Sequence, residues 1–198
     1  LSKLVIGYDH HFGRNRESSL DIIKEYSELF NFEVITVPKF RQDGVSVSST
    51  KIRNYLAAGD MQLVNDLLGY RFSFNGRVIK GKGIGKSIGF PTANLEIYDA
   101  HKIIPAIGVY SVYVFINGVK YFGMLNIGKN PTFGLNHNMT IEVHILDFSQ
   151  NIYFKELKLV ILSKIRDEIK FDSKEKLISQ LEKDELKIRN YFHNLSSN

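Results

Sequence analysis

Thr92 and Asn94 stand two residues apart in the stretch Pro91-Thr92-Ala93-Asn94. In an extended backbone that spacing puts both side chains on one face. A hydroxyl and an amide carbonyl are hard, neutral oxygen donors. They suit a Mg²⁺ ion that arrives on a nucleotide, because such an ion keeps phosphate oxygens and water and asks for few protein ligands. The same residue types also make ST and Asx turns. Just before them runs Gly81-Lys82-Gly83-Ile84-Gly85-Lys86-Ser87. Its glycines let backbone N–H groups approach an anion, and Lys82 and Lys86 add positive charge. The stretch is one residue short of a Walker A loop, and Gly89 arrives one residue late for a dinucleotide fingerprint. Either motif needs a helix at once. Pro91 pushes Phe90 towards an extended backbone and Gly89 weakens a helix, so both readings fail on context. A glycine-rich flap joining two strands remains, as does a plain solvated loop.

In Thr140-Ile141-Glu142-Val143-His144-Ile145-Leu146, Ile141, Val143 and Ile145 share one face, and Glu142 and His144 share the other. If that polar face lines a site, Glu142 can accept the proton of an attacking hydroxyl. On a solvated face it is only a surface charge. Arg166 and Phe171 could hold a flat ligand by hydrogen bonding and stacking, and Tyr153 could pack on a base. Each suits packing or surface equally well. Asn126-Ile127-Gly128 and residues 130–134 form a further Gly/Pro/Asn-rich connection.

Two textures of chain must position these residues. Residues 1–68 alternate strand and helix. Lys3–Gly7 is a short apolar run like a buried parallel strand. A helix from Leu20 to Phe30 carries Leu20, Ile23, Tyr26 and Phe30 on one face. Phe32–Val37 is a second strand. Ser48, Ser49 and Thr50 offer N-caps to another helix, and a short one follows from Met61 to Leu68. Two strands are too few for a stable sheet, so the segment resembles the back half of a larger domain. From residue 69 onward five runs are strand-like: Arg71–Ile79, Gly108–Ile116, Lys120–Ile127, Thr140–Leu146 and Leu157–Ile165. Asn117-Gly118 predicts a type I′ hairpin. The expected fold class is mainly β: a small closed antiparallel barrel, since closure removes exposed edges. A C-terminal helix follows, with Asp172 and Glu175 as a capping-box-like start and Leu177, Leu181 and Ile188 on one face.

Composition narrows the function classes. The chain has 198 residues, 43% hydrophobic and 24% charged, ordinary values for a globular protein with a sizeable core. It has no cysteine, which removes disulfides, thiol nucleophiles and zinc–thiolate sites and fits a reducing compartment. No apolar run approaches the roughly 18–20 residues a membrane helix needs, and no signal-peptide pattern opens the chain. The expectation is a cytoplasmic protein with no membrane partner. The net charge is +5, but the basic residues are spread and mixed with acidic ones. We therefore expect no nucleic-acid partner. No oligomeric state follows from the sequence.

Taken together, GxGxGKSxGFPTANL, GVYSV, NIGKNPTFG, EVHILDF and IRDEIKF resemble riboflavin kinase, in the family's order and spacing, over roughly residues 70–192. The first part also has a counterpart. Gly7 to Arg16, with Asp9, Phe12, Gly13 and Arg16 at the motif positions, resembles the GxDFxFGxxR stretch of the bacterial FMN adenylyltransferase module. Val47-Ser48-Ser49-Thr50-Lys51-Ile52-Arg53 resembles its (I/V)SSTxIR motif. The family fuses the two modules as bifunctional riboflavin kinase/FAD synthetase. The resemblance implies a Greek-key barrel over 69–198, preceded at 1–68 by the back of a Rossmann-like nucleotidyltransferase domain. It implies phosphoryl transfer from ATP to the ribityl 5′-hydroxyl of riboflavin, giving FMN, with positioning and charge stabilisation dominating the catalysis. By motif position, Thr92 and Asn94 hold Mg²⁺, and Glu142 is the base. Gly81, Lys86, Ile145, Asp147 and Tyr153 lie near ATP, and Arg166 and Phe171 hold the flavin.

Two departures qualify the resemblance. Lys86 stands where an arginine is frequent. The HxGH motif that opens the family's adenylyltransferase module has no match here, and His10-His11 falls inside the GxDFxFG counterpart. The chain as given is therefore expected not to make FAD efficiently. A flavin- or nucleotide-holding barrel without turnover is the alternative; it would have no need of the base Glu142. A nucleic-acid-binding barrel is a third class, separable by salt-dependent RNA binding.

Overall fold

The computed structural model describes residues 1–7, 20–39, 41–42, 45–81, 83–129 and 139–196, which form two compact units, Leu1–Ser48 and Ser49–Asn198. Asp9, Phe12, Gly13, Arg16, Lys82 and residues 130–134 lie outside the described residues.

In the first unit, β1 (Lys3–Gly7) and β2 (Glu33–Val37) pair in parallel, with α1 (Leu20–Leu29) between them in sequence. This is the expected strand–helix–strand unit. The expected burial is only partly met. Ile6 and Ile23 are buried, but Val5, Tyr26 and Phe30 are exposed. A sheet of two strands offers α1 too narrow a surface to cover its whole apolar face. A short ribbon, β3 (Arg41–Gln42) with β4 (Val45–Ser46), follows.

The second unit opens with α2 (Ser49–Ala58) and α3 (Met61–Leu68). Asp60 caps α3 by accepting from the Leu63 N–H, and Gly69 ends it in the left-handed conformation at φ 71°. Both helices share the barrel's core, to which Leu56, Met61 and Val64 contribute. The boundary of packing therefore lies at 48/49.

The barrel closes from six antiparallel strands: β5 (Ser73–Ile79), β6 (Ala93–Glu96), β7 (Gly108–Ile116), β8 (Val119–Lys129), β9 (Met139–Ile145) and β10 (Glu156–Arg166). Around the barrel the order is β10-β5-β6-β9-β8-β7. Strand β9 returns beside β6 after the β7–β8 hairpin, which is Greek-key connectivity. Five of the six strands match the strand-like runs. The sixth, β6, is four residues long and carries the Ala93-Asn94 pair. Asn117 and Gly118 both have positive φ, 51° and 81°, between paired Ile116 and Val119, as a type I′ turn requires.

Alternation along the strands divides the apolar residues between two cores. Inward-facing Val78, Leu95, Val112, Leu125, Val143 and Leu159 fill the barrel. Outward-facing Val109, Met124 and Leu162 pack under α4 (Lys174–Ser196), against Ile188 and Phe192. The cap of α4 is Ser173, whose Oγ accepts from the Lys176 N–H at 3.3 Å. Asp172 was the sequence expectation, but it lies one residue too early and instead pairs with the Lys176 ammonium at 3.1 Å.

Candidate active site

Three of the chemistry-bearing residues, Asn94, Glu142 and Arg166, meet along one line across the outer face of the barrel. Ile79 on β5 faces Asn94 on β6, and Asn94 faces Glu142 on β9. Glu142 faces Asn126 on β8, Asn126 faces Val109 on β7, and Val109 faces Arg166 on β10. Directly opposed residues in an antiparallel pair share a face, with Cβ atoms about 5 Å apart. One residue from each strand therefore forms a continuous row. All six line a cavity of about 750 Å³.

Arg166 joins this row only because β10 is irregular. The β7–β10 register shifts between Ile161 and Ser163 and again between Lys164 and Arg166. Without the second shift, Ile165 would face Val109. A bulge turns the next side chain to the other face. The guanidinium is then held from below. Its Nε donates to the Asp184 carboxylate at 2.8 Å, and Asp184 also accepts from Gln180 Nε2 at 2.8 Å. The Asp184 side chain is fully buried, and that of Arg166 is 13% exposed. Arg166 lies over the Phe171 ring at 5.9 Å, and both line the cavity.

At the other end of the row, Thr92 Oγ1 donates to Glu142 Oε2 at 3.0 Å. His144 Nδ1 lies 2.7 Å from the Pro91 carbonyl, and its ring meets Phe90 edge-on at 5.4 Å. These contacts pin the extended Pro91–Asn94 segment to β9. Gly81 packs directly on Asn94: a methyl group there would stand 2.1 Å from the amide Nδ2. Gly85 backs onto the Phe90 carbonyl, with 2.3 Å available to a methyl group. The glycines thus admit close backbone approach. The flap has more structure than the sequence suggested. Gly85–Ile88 forms one 3₁₀ turn, ended by Gly89 at φ 86°. It stops after a single turn, as Gly89 and Pro91 dictate.

A second cavity of about 500 Å³ lies on the other side of Thr92, lined among others by Lys86, Ile145, Phe148 and Tyr153. Thr92 lines both cavities. Gly81, Asn94, Glu142, Arg166 and Phe171 therefore gather in the first cavity, and Lys86, Ile145 and Tyr153 in the second. Asp147 lines neither. Its side chain is forked by Arg189 at 2.8 and 2.9 Å, a hydrogen-bonded pairing that lowers its pKa below the usual carboxylate value. Ser48 ends the first unit, while Ser49, Thr50 and Arg53 lie exposed on the first turns of α2.

Several residues of the site were assigned no role from sequence: Asn126, His144, Glu168, Ile169 and the supporting Asp184. Asn126 carried a signal, being a carboxamide between Leu125 and Ile127 in a strand whose flanking residues are buried. Among the described residues no cluster of three His, Asp or Glu could hold a metal. A metal here needs neutral donors and ligand oxygens. The Asn94 carboxamide makes no hydrogen bond to a described residue, and Thr92, whose proton goes to Glu142, keeps lone pairs for a cation. The arrangement joins two cavities at a hydroxyl and a carboxylate, a geometry suited to moving a group from a ligand in one to a hydroxyl in the other.

The riboflavin kinase family model matches residues 68–192, and the FAD synthetase model matches residues 1–51. A bifunctional riboflavin kinase/FMN adenylyltransferase of Listeria monocytogenes is 39% identical over 195 residues, 98% of this chain and 62% of its own. Proteins of the same description from Escherichia coli K12 and Haemophilus influenzae are 36% and 42% identical, covering 96% and 91% of this chain and 60% and 58% of theirs. The chain thus spans about three fifths of the curated relatives it matches. The solved structure of a Streptococcus pneumoniae protein, described as a macrolide-efflux protein, superimposes with a TM-score of 0.84 at 39% identity, over 94% of this chain and 60% of its own. Efflux is said of that protein alone. Among the described residues here, no helix is long and apolar enough to cross a membrane.

Proposed function

Because the chain belongs to the riboflavin kinase family, we propose that it transfers the γ-phosphoryl group of ATP to the 5′-hydroxyl of riboflavin. The observation that carries this is Thr92, shared by both cavities and hydrogen-bonded to Glu142 at 3.0 Å. The nucleotide takes the second cavity, with its base near Ile145 and Tyr153 and Lys86 towards its phosphates. The flavin takes the first, with its ring at Arg166 and Phe171. The glycine flap from Gly81 lies over the phosphates. In the transfer, the bond from the γ-phosphorus to the bridging oxygen breaks, and a bond to the ribityl oxygen forms. Glu142 accepts the hydroxyl proton, and ADP leaves. Thr92 and Asn94 would hold Mg²⁺, which when bound neutralises charge developing on the phosphoryl oxygens.

The kinase module is assigned to residues 69–198 and the adenylyltransferase remnant to 1–68, with adenylylation of FMN proposed for the longer protein. The reading also entails a cytoplasmic enzyme with small-molecule partners.

The test is incubation with riboflavin and Mg-ATP, followed by chromatography of the flavins. FMN should form, and Glu142→Gln should lower its rate by about 10²–10⁴-fold, the usual worth of a positioned base. Thr92→Ala should raise KM for Mg-ATP and depress kcat. Flavin binding without FMN formation, or near-normal turnover by Glu142→Gln, would overturn the reading.

A further inference from the structure

Glu142 is flanked by two carboxamides, Asn94 on one neighbouring strand and Asn126 on the other. Asn94 is accounted for beside the flap. Asn126 is not. It sits in the middle of β8 between buried Leu125 and Ile127, where a carboxamide has little propensity to be. Its amide makes no hydrogen bond to a described residue, yet no buried side-chain polar atom of the described residues is left unsatisfied. Its polar atoms therefore open into the cavity that Asn126 lines.

Its place in the row gives it a direction. Thr92, Asn94 and the glycine flap lie to the β6 side of Glu142. Asn126, Val109 and Arg166 lie to the other side, in that order. A hydroxyl accepted by Glu142, with the phosphoryl donor on the β6 side, must carry the rest of its molecule over Asn126. Strands stand about 4.8 Å apart. A five-carbon polyol chain spans one to two such separations, and so bridges from Glu142 to the edge of the apolar ground near Val109 and Met124. A carboxamide has both donor and acceptor atoms and can serve two neighbouring hydroxyl groups at once. Nothing else in the row between Glu142 and Arg166 is polar.

Resting on the kinase reading above, we propose that Asn126 is the specificity-determining residue for the polyol chain of the acceptor: its carboxamide hydrogen-bonds hydroxyls of the ribityl group and delivers the terminal one to Glu142.

The experiment compares riboflavin with lumiflavin, which keeps the ring system but has a methyl group in place of the polyol. Dissociation constants are measured by flavin fluorescence for the wild-type chain and for Asn126→Ala, and the steady-state constants are determined in parallel. Asn126→Ala should weaken riboflavin by about tenfold or more, from the loss of one or two hydrogen bonds. Lumiflavin affinity and KM for Mg-ATP should stay within about twofold, a margin small beside one hydrogen bond. Equal loss for both flavins, or unchanged riboflavin affinity in Asn126→Ala, overturns the proposal. So does a wild-type chain that binds lumiflavin as tightly as riboflavin, even where FMN is made. If no FMN forms but riboflavin is preferred through Asn126, the kinase reading fails and only the hydrogen bonding of the ribityl group by Asn126 stands.

Discussion

Gly81→Ala acts first on the position of Asn94, the side chain that an added methyl group would meet. The added methyl would stand 2.1 Å from Asn94 Nδ2, 2.5 Å from its Cγ and 3.0 Å from its Oδ1. Ordinary contacts between such atoms are about 3.5–4.0 Å, so the amide must retreat by roughly 1.5 Å. Asn94 can do this by rotating its side chain into the cavity, and Gly81 is exposed, so folding loses little. The catalytic arrangement loses more. A misplacement of about 1 Å in a positioning group costs about 10²-fold in rate. Gly81→Ala should therefore lower kcat/KM for Mg-ATP by about 10²-fold, with the melting temperature within a few degrees of wild type. The assay is FMN formation at varied Mg-ATP, alongside a thermal melt. Unchanged kinetics would refute the reasoning. A loss of activity matched by a collapse in melting temperature would do so equally, because the clash would then have been absorbed by the fold.

Two further outcomes follow from the buried polar groups. Asp184→Leu leaves the Arg166 guanidinium without its carboxylate partner. Breaking a buried pair from one side costs about 3–5 kcal/mol. Because Arg166 is 13% exposed and borders a cavity, about 2–3 kcal/mol is expected. That corresponds to roughly 4–12 °C in a melt of a chain this size, with a higher KM for riboflavin as Arg166 loses its orientation. A melt and a KM both unchanged would count against the support assigned to Asp184. Tyr110, fully buried, donates to the Ala106 carbonyl, and its pKa is pushed up to about 12, chiefly by burial and secondarily by the charge of Asp167. The folded state thus prefers the neutral phenol. That preference stabilises fully below pH 10 and is lost as pH rises from about 10 to about 12, amounting to about 2–3 kcal/mol. Tyr110→Phe should give up about 1 kcal/mol of hydrogen bonding at pH 8. It should also flatten the alkaline fall relative to wild type, as read by urea unfolding at pH 8 and 11.

The sequence alone determined the local parts. Alternation in Thr140–Leu146 set Glu142 and His144 on one face and the barrel core on the other. Asn117-Gly118 specified its turn, because only residues tolerant of positive φ make a type I′ hairpin. Pro91 and Gly89 ruled out a phosphate-binding α-helix after the glycine stretch, and a single 3₁₀ turn is what forms there. These features rest on periods of two residues and on single-residue backbone limits, which a linear text carries. Tertiary structure decided what stands beside what. That Asn126 and Asn94 flank Glu142 depends on β8 and β6 both neighbouring β9, and strand order is a property of the closed barrel. That Arg166 rather than Ile165 enters the row depends on a bulge in β10, which exists only against its partner β7. That Asp184 holds Arg166, and that Arg189 pairs with Asp147, depends on where α4 docks. Pairing register and helix docking are settled by burying two cores at once, and that balance is spread over the whole chain rather than written in any one stretch of it.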